Sequence, residues 1–266
     1  MEPRTLTAGA AERAAADIPY LRAVILRDGI VTGWSLEGSL LVVAHPPGSA
    51  PRGQAIGDPG ACAALIAHAR DTGVLSAGHW VNGPRGVDPG FEGRVHEWDF
   101  RWTVSAPPAL PGTPAARPDA PGAVRADPGD AVRLDPGDSA EIDAVLDLSL
   151  PESSVRPGDA DAVAWYGIRV AGRLAAVAAD VSPPGFGVVS GIAVHPAHQG
   201  LGLGGALTAA VTRVLLTEHG IASLGVYSDN SRASALYERL GYRAVCPRTA
   251  GMLASSDSRV RGPIPG

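Results

Sequence analysis

The apolar run Val188-Val189-Ser190-Gly191-Ile192-Ala193-Val194 is followed within six residues by Gly200-Leu201-Gly202-Leu203-Gly204-Gly205, and then by Ala206-Leu207. The first stretch reads as a buried strand and the last as the opening turn of a helix. The glycines between them let the backbone approach a ligand without a Cβ in the way. A helix start adds unpaired N–H groups and the positive end of a dipole, which suit a phosphate. Strand, glycine loop and helix together make a pyrophosphate cradle, and this narrows the fold to an α/β class.

Composition narrows it further. The chain has 266 residues, 45% of them apolar and only 5% aromatic, so the core is built from Val, Leu, Ile and Ala. The formal charge of -5 argues against a nucleic-acid partner. All 22 basic residues are Arg, which excludes a Schiff-base lysine and a Walker A lysine. Cys62 and Cys246 form no CxxC pair and read as reduced thiols. The N-terminal stretch lacks a secretory apolar core, and no run reaches the roughly 18 apolar residues that a membrane span needs. A cytoplasmic protein without membrane association is expected.

Three segments are expected. Residues 1–104 form an N-terminal α/β domain of unknown role, with strands at Tyr20–Leu26, Gly38–Ala44 and His96–Val104 and a helix at Pro59–Asp71. Residues 105–123 are a Pro/Ala-rich linker, since recurrent proline rules out a continuous helix or central strand. Residues 124–250 form a second domain, and 251–266 a flexible tail. In the second domain Val132–Leu134 is a strand, and Asp138 with Glu141 suggests a capping box. Ala162–Val170 and Arg173–Asp180 are joined at Ala171-Gly172 as a hairpin. A strand to Val194, a helix to Gly220, a strand at Ile221–Tyr227, a helix opened by Asn230 and a strand at Tyr242–Cys246 complete the order. A mixed sheet flanked by helices is the natural packing.

Gly200 to Gly205 also spells GxGxxG, the dinucleotide fingerprint. A dinucleotide fold would place that loop directly after its strand and early in a long βαβ array. Here five residues, His195 to Gln199, intervene and about sixty residues remain.

Gln199-Gly200-Leu201-Gly202-Leu203-Gly204 resembles the Q/R-x-x-G-x-G/A signature of the GNAT superfamily of acyl-CoA-dependent N-acetyltransferases. Asn230 to Tyr242 (NSRASALYERLGY) resembles that family's N-x-x-A-x-x-L-Y-x-x-x-G-F/Y helix. Both motifs stand in the family's order, and the resemblance covers roughly residues 124–248. It implies an acetyltransferase domain with splayed central strands and acetyl-CoA as acyl donor. The diphosphate would lie on main-chain N–H groups of Gln199, Gly200, Leu201, Gly202, Leu203, Gly204 and Gly205. The pantetheine arm would lie along Ile192, Ala193 and Val194, with Asn230 also in contact. Tyr237 matches the family's general acid.

The resemblance implies direct attack by an amine, with a small-molecule primary amine as acceptor. The strand carries no Asp or Glu, so the base stays open among Ser190, Asp180 and Glu152. That gap keeps a non-catalytic acyl-CoA-binding module in play, and a protein N-terminus is a further acceptor class. The HxxH pair His195/His198 lacks a third ligand, and no metal is expected. For the N-terminal domain, one reading is a degenerate relative of the same fold.

Overall fold

Two hairpins set the register of the two halves, and both turn on a pair of residues with positive φ. Glu37 and Gly38 (φ 50° and 78°) join one, Ala171 and Gly172 (φ 50° and 81°) the other. Two consecutive left-handed residues make the turn whose twist matches a β-ribbon. The computed structural model describes residues 2–46, 48–108 and 131–255. Most of the expected linker, 109–123, and residues 256–266 of the expected tail lie outside the described residues, while 251–253 of that tail are strand.

The first stretch of chain contains β1 (Arg4–Leu6), α1 (Ala8–Ala15), α2 (Pro19–Asp28), β2 (Thr32–Leu36), β3 (Ser39–Ala44), β4 (Arg52–Ile56), α3 (Pro59–Asp71), β5 (Trp80–Pro84) and β6 (Phe91–Thr103). There follow β7 (Val132–Arg133), α4 (Ser139–Ser149), β8 (Ala164–Val170), β9 (Arg173–Asp180), β10 (Gly187–Val194), α5 (Leu203–His219), β11 (Ala222–Tyr227), α6 (Ser231–Arg239) and β12 (Ala244–Leu253). These elements form two units, each discontinuous in sequence. Unit 1 is Met1–Phe100 with Val226–Asn230 and Val245–Gly266; unit 2 is Arg101–Gly225 with Ser231–Ala244. No helix among the described residues is long and apolar enough to cross a membrane.

In unit 1 the strands β1 to β4 pair antiparallel in sequence order, and β4 pairs parallel with β5. The return strand β12 then pairs antiparallel with β5, Gly251 facing Val81. The core lies between this sheet and α3, with Leu41, Val43, Ala55, Leu65 and Ile66 all buried. In unit 2, β7, β8, β9 and β10 pair antiparallel in order and β10 pairs parallel with β11. There α4 places Ile142, Val145 and Leu146 against Trp165, Val177 and Ala193. The helix α5 buries Leu203, Leu207, Val211 and Leu215, one residue per turn.

Three local expectations change. Tyr20–Leu26 is not a strand but part of α2: Pro19 supplies a preset φ at the first helical position, and Tyr20, Leu21 and Val24 are buried at helical spacing. The capping box sits one turn upstream of Asp138/Glu141. Pro136 starts a 3-10 turn, and the Asp135 N–H donates to Asp138 Oδ2 at 2.9 Å. Glu141 Oε2 instead accepts from Arg169 Nη1 at 2.9 Å and from the Leu174 N–H at 3.2 Å, tying α4 to the β8–β9 hairpin. The last strand passes Cys246 and runs to Leu253, because Trp80–Pro84 offers it an antiparallel edge.

Candidate functional site

The parallel ladder between β10 and β11 holds three pairs, Gly187↔Ala222, Val188↔Ser223 and Val189↔Leu224. Beyond Val189 the strand bulges. Its register against β9 shifts between Ser190 and Ala193, and Gly191 takes φ 58°. A Cβ at Gly191 would lie 2.9 Å from Val155 Cγ1, so glycine is required both by conformation and by space. Past the bulge, the His195 N–H donates to Ala175 O at 2.8 Å, with Ala193 opposite Val177. Hydrogen-bonded pairs alternate along an antiparallel ladder. The main-chain groups of Ala193 therefore face β9, and those of Ile192 and Val194 face the side where the β11 ladder has ended. One of these groups is already in use: Val194 O accepts from Ser149 Oγ at 2.9 Å and from Gln199 Nε2 at 3.3 Å. Nothing near Ser149 in sequence announced that role, since it lies 45 residues away.

The chain leaves β10 through a 3-10 turn at Pro196–His198. His195 Nδ1 accepts the Ala197 N–H at 3.2 Å, so this ring nitrogen caps the turn rather than facing a ligand. The rings of His195 and His198 are 5.7 Å apart, and no group of three or more metal-ligating side chains occurs among the described residues. The Gln199 N–H is bonded to Pro196 O at 3.3 Å. Its amide thus closes the turn, and the cradle begins at Gly200 instead. Gly200 and Gly202 hold φ of 82° and 81°, and Gly202 is the N-cap of α5. The first helical bond runs from the Ala206 N–H to Gly202 O at 3.0 Å. The N–H groups of Leu203, Gly204 and Gly205 precede it and have no intrahelical partner. No acidic residue stands in this first turn. Leu203 is 2% exposed and anchors the loop in the core, while Leu201 and Gly202 face solvent. A Cβ at Gly204 would lie 3.3 Å from Val194 Cγ2, which keeps the helix start close against the strand. This geometry presents a row of donors at the positive end of a 17-residue helix, a site for an anion with several oxygens.

Tyr237 lies on α6 and is 7% exposed; burial pushes its hydroxyl pKa up to about 12. Its carbonyl accepts the Tyr242 N–H at 2.9 Å across Gly241 (φ 96°), a helix stop that brings the two tyrosines together. Their rings meet edge to face at 6.2 Å. Tyr242 is fully buried, and its hydroxyl lies 2.7 Å from Thr212 Oγ1. Thr212 Oγ1 itself donates to Thr208 O at 2.6 Å, so Tyr242 is the donor of the shared bond. One turn earlier, Thr208 Oγ1 donates to Gly204 O at 2.7 Å. A line of hydroxyls thus runs from the cradle along α5 to the ring beside Tyr237. Neither threonine stood out in the sequence, because both occupy apolar-face positions of a helix. Tyr242→Phe should cost about 1 kcal/mol of stability, one buried hydrogen bond, and leave Thr212 still bonded to Thr208 O. A urea titration checks it.

Asn230 directly precedes α6, with its N–H on Tyr227 O at 3.0 Å. Asp180, a candidate base, is 2% exposed, and its Oδ1 accepts the Ser182 N–H at 2.9 Å. Glu152 is exposed and Ser190 half-buried on β10.

Residues 165–249 match the family model described as FR47-like protein. Over 61 residues the chain is 48% identical to a mycothiol acetyltransferase of Kocuria rhizophila; that stretch is 22% of this chain and 20% of that protein. A putative GNAT-family acetyltransferase from Novosphingobium aromaticivorans superimposes with a TM-score of 0.52 at 28% identity, covering 81% of this chain and 88% of that one. A GCN5-related N-acetyltransferase from Kribbella flavida has the same fold, with a TM-score of 0.53 at 18% identity over 95% of this chain and 98% of that one. Both superpositions extend beyond either unit alone. With a glycine cradle after a parted strand and the tyrosine helix following in sequence, this chain carries, over residues 165–249, a domain of the GNAT superfamily of acetyltransferases.

Proposed function

We propose that the chain moves an acetyl group from acetyl-CoA to the primary amine of a small molecule by direct attack. The observation that carries this reading is the pairing of two features on one strand. The cradle N–H groups from Gly200 to Gly205 suit a diphosphate. The main-chain groups of Ile192 and the N–H of Val194 face an edge that β11 no longer fills, which suits an amide-bearing arm. The amine nitrogen would attack the thioester carbon and the C–S bond would break. The amine's extra proton leaves to solvent or base, and the thiolate is stabilised as it departs.

Tyr237 is the group assigned to that thiolate. Its pKa of about 12 keeps it protonated at every working pH. A thiol ionises near 8.5, so complete transfer from such a phenol is uphill by about three to four pK units, roughly 5 kcal/mol. Its role is therefore to donate a hydrogen bond to the developing sulfur charge, as an oxyanion-hole donor does for oxygen. β10 carries no carboxylate, and this favours a second reading, a non-catalytic acyl-CoA-binding module. Thiol release from acetyl-CoA across a panel of small amines separates them. Amine-dependent release supports the transferase. Binding of acetyl-CoA with no release above background for any amine supports the module.

A further inference from the structure

Unit 1 repeats the connectivity of unit 2. A short strand and helical segment lead to a hairpin (β2–β3, as β8–β9), then a strand (β4, as β10). A crossover helix (α3, as α5) and a parallel strand (β5, as β11) follow. The parallel ladder again holds three pairs, Arg52↔Trp80, Gly53↔Val81 and Gln54↔Asn82. By topology alone, unit 1 would offer a second place for the same ligand. We infer that it does not, because Arg248 and Asp58 occupy the two places where unit 2 leaves its strand edge and helix start open. This inference rests on the acyl-CoA reading of unit 2.

The strand edge is filled by a side chain of β12. Arg248 is fully buried, and its Nη2 donates to Ala55 O at 2.7 Å. Ala55 is the first residue past the last β4–β5 pair, so the guanidinium takes the carbonyl that an extended ligand would pair with. The guanidinium carbon stands 4.1 Å from the centre of the Tyr20 ring, and Nη1 lies 3.9 Å from Cys246 Sγ. The Tyr20 hydroxyl in turn donates to the buried Gln54 amide oxygen. Cation, ring and amide close this face from within the protein. Arg248 Nε makes no hydrogen bond among the described residues, so the guanidinium is held by shape and by Ala55 more than by full satisfaction of its donors.

The helix start is filled by an acid. Eight residues, His195 to Gly202, separate β10 from α5; only Gly57 and Asp58 separate β4 from α3. Asp58 Oδ1 accepts the Ala61 N–H at 2.9 Å, and the Asp58 N–H is held by Ser39 Oγ at 3.0 Å. Gly57 is packed so closely that a Cβ there would lie 2.3 Å from Ser39 Oγ. Pro59 at the first helical position removes one further donor. A phosphate arriving at α3 would meet a carboxylate already seated on the helix dipole and bonded to the Ala61 N–H, and the two like charges would repel. In unit 2 the corresponding turn holds no acid.

The full chain therefore takes up one acetyl-CoA. Native mass spectrometry at saturating acetyl-CoA should show one ligand mass per chain. Hydrogen exchange with the same ligand should slow amides in 192–206 and leave those in 52–62 unchanged. Two ligands per chain, or protection over 52–62, would overturn the inference while leaving the proposed function intact. No ligand on the wild-type chain would contradict the proposed function and still agree with a closed unit 1.

Discussion

Gly202→Val abolishes measurable acetyl-CoA binding, with Kd raised more than about 100-fold, while the chain stays folded. Gly202 holds φ 81° at the N-cap of α5. A β-branched residue there is strained by roughly 1–2 kcal/mol, and it adds side-chain bulk in the middle of the run Gly200 to Gly205. That strain is a fraction of the 5–15 kcal/mol typical of a folded domain, so the main loss is in binding. Gly220 supplies the matched control. It caps the opposite end of the same helix with φ 71°, and a Cβ there meets nothing within 4 Å. Gly220→Val should lower the melting temperature by a similar amount and leave the affinity for acetyl-CoA unchanged. Titration calorimetry with a thermal melt on both variants decides between a blocked cradle and a merely weakened helix.

Tyr237→Phe lowers kcat on the order of 10²-fold, the usual scale for one lost hydrogen-bond donor to a developing charge, with KM for acetyl-CoA nearly unchanged. The ring remains, so the edge contact with Tyr242 persists and only the hydroxyl is lost. A variant with wild-type kcat would remove Tyr237 from the chemistry. The pKa of about 12 makes a second, independent prediction. Burial in the folded state raises this pKa above the ordinary tyrosine value of 10.0. The folded state therefore holds the proton more tightly, and the stability linked to it is present below pH 10 and lost as pH rises towards 12. Two pK units correspond to roughly 3 kcal/mol. Tyr242 is shifted upward by burial as well and contributes in the same window. The wild-type chain should thus lose more stability than Tyr237→Phe between pH 10 and 12, by denaturant titration at each pH.

What could be read from the sequence depended on whether the signal was local. The helix Pro59–Asp71 was legible because Asp58 caps it and Pro59 fits its first turn. The two hairpins of like build were not equally visible: Ala171-Gly172 stood between apolar alternations, whereas Glu37-Gly38 followed a strand, Thr32–Leu36, with too little pattern to be recognised. Tyr20–Leu26 is an apolar run of a length that suits strand or helix equally, and only the exposure of Arg22 between buried Leu21 and Val24 reveals the helical face. β4 and β5 carry Gly53, Gly83 and Pro84 and little alternation; their neighbours in the sheet define them. At the site, the glycines spoke for themselves, because φ near 80° leaves few other residues. Ser149, Thr208, Thr212 and Arg248 were silent, since each acts through a partner in a different turn or element of the fold. The commitment of the Gln199 N–H to Pro196 was likewise invisible, as it depends on the 3-10 turn closing.

The proposed activity requires main-chain amides at the start of α5 to grip a coenzyme A diphosphate beside the parted strand. Calorimetric titration of the wild-type chain with acetyl-CoA, and separately with NAD, tests it most directly. Heat with acetyl-CoA and none with NAD is the predicted result. Heat with NAD and none with acetyl-CoA would contradict it.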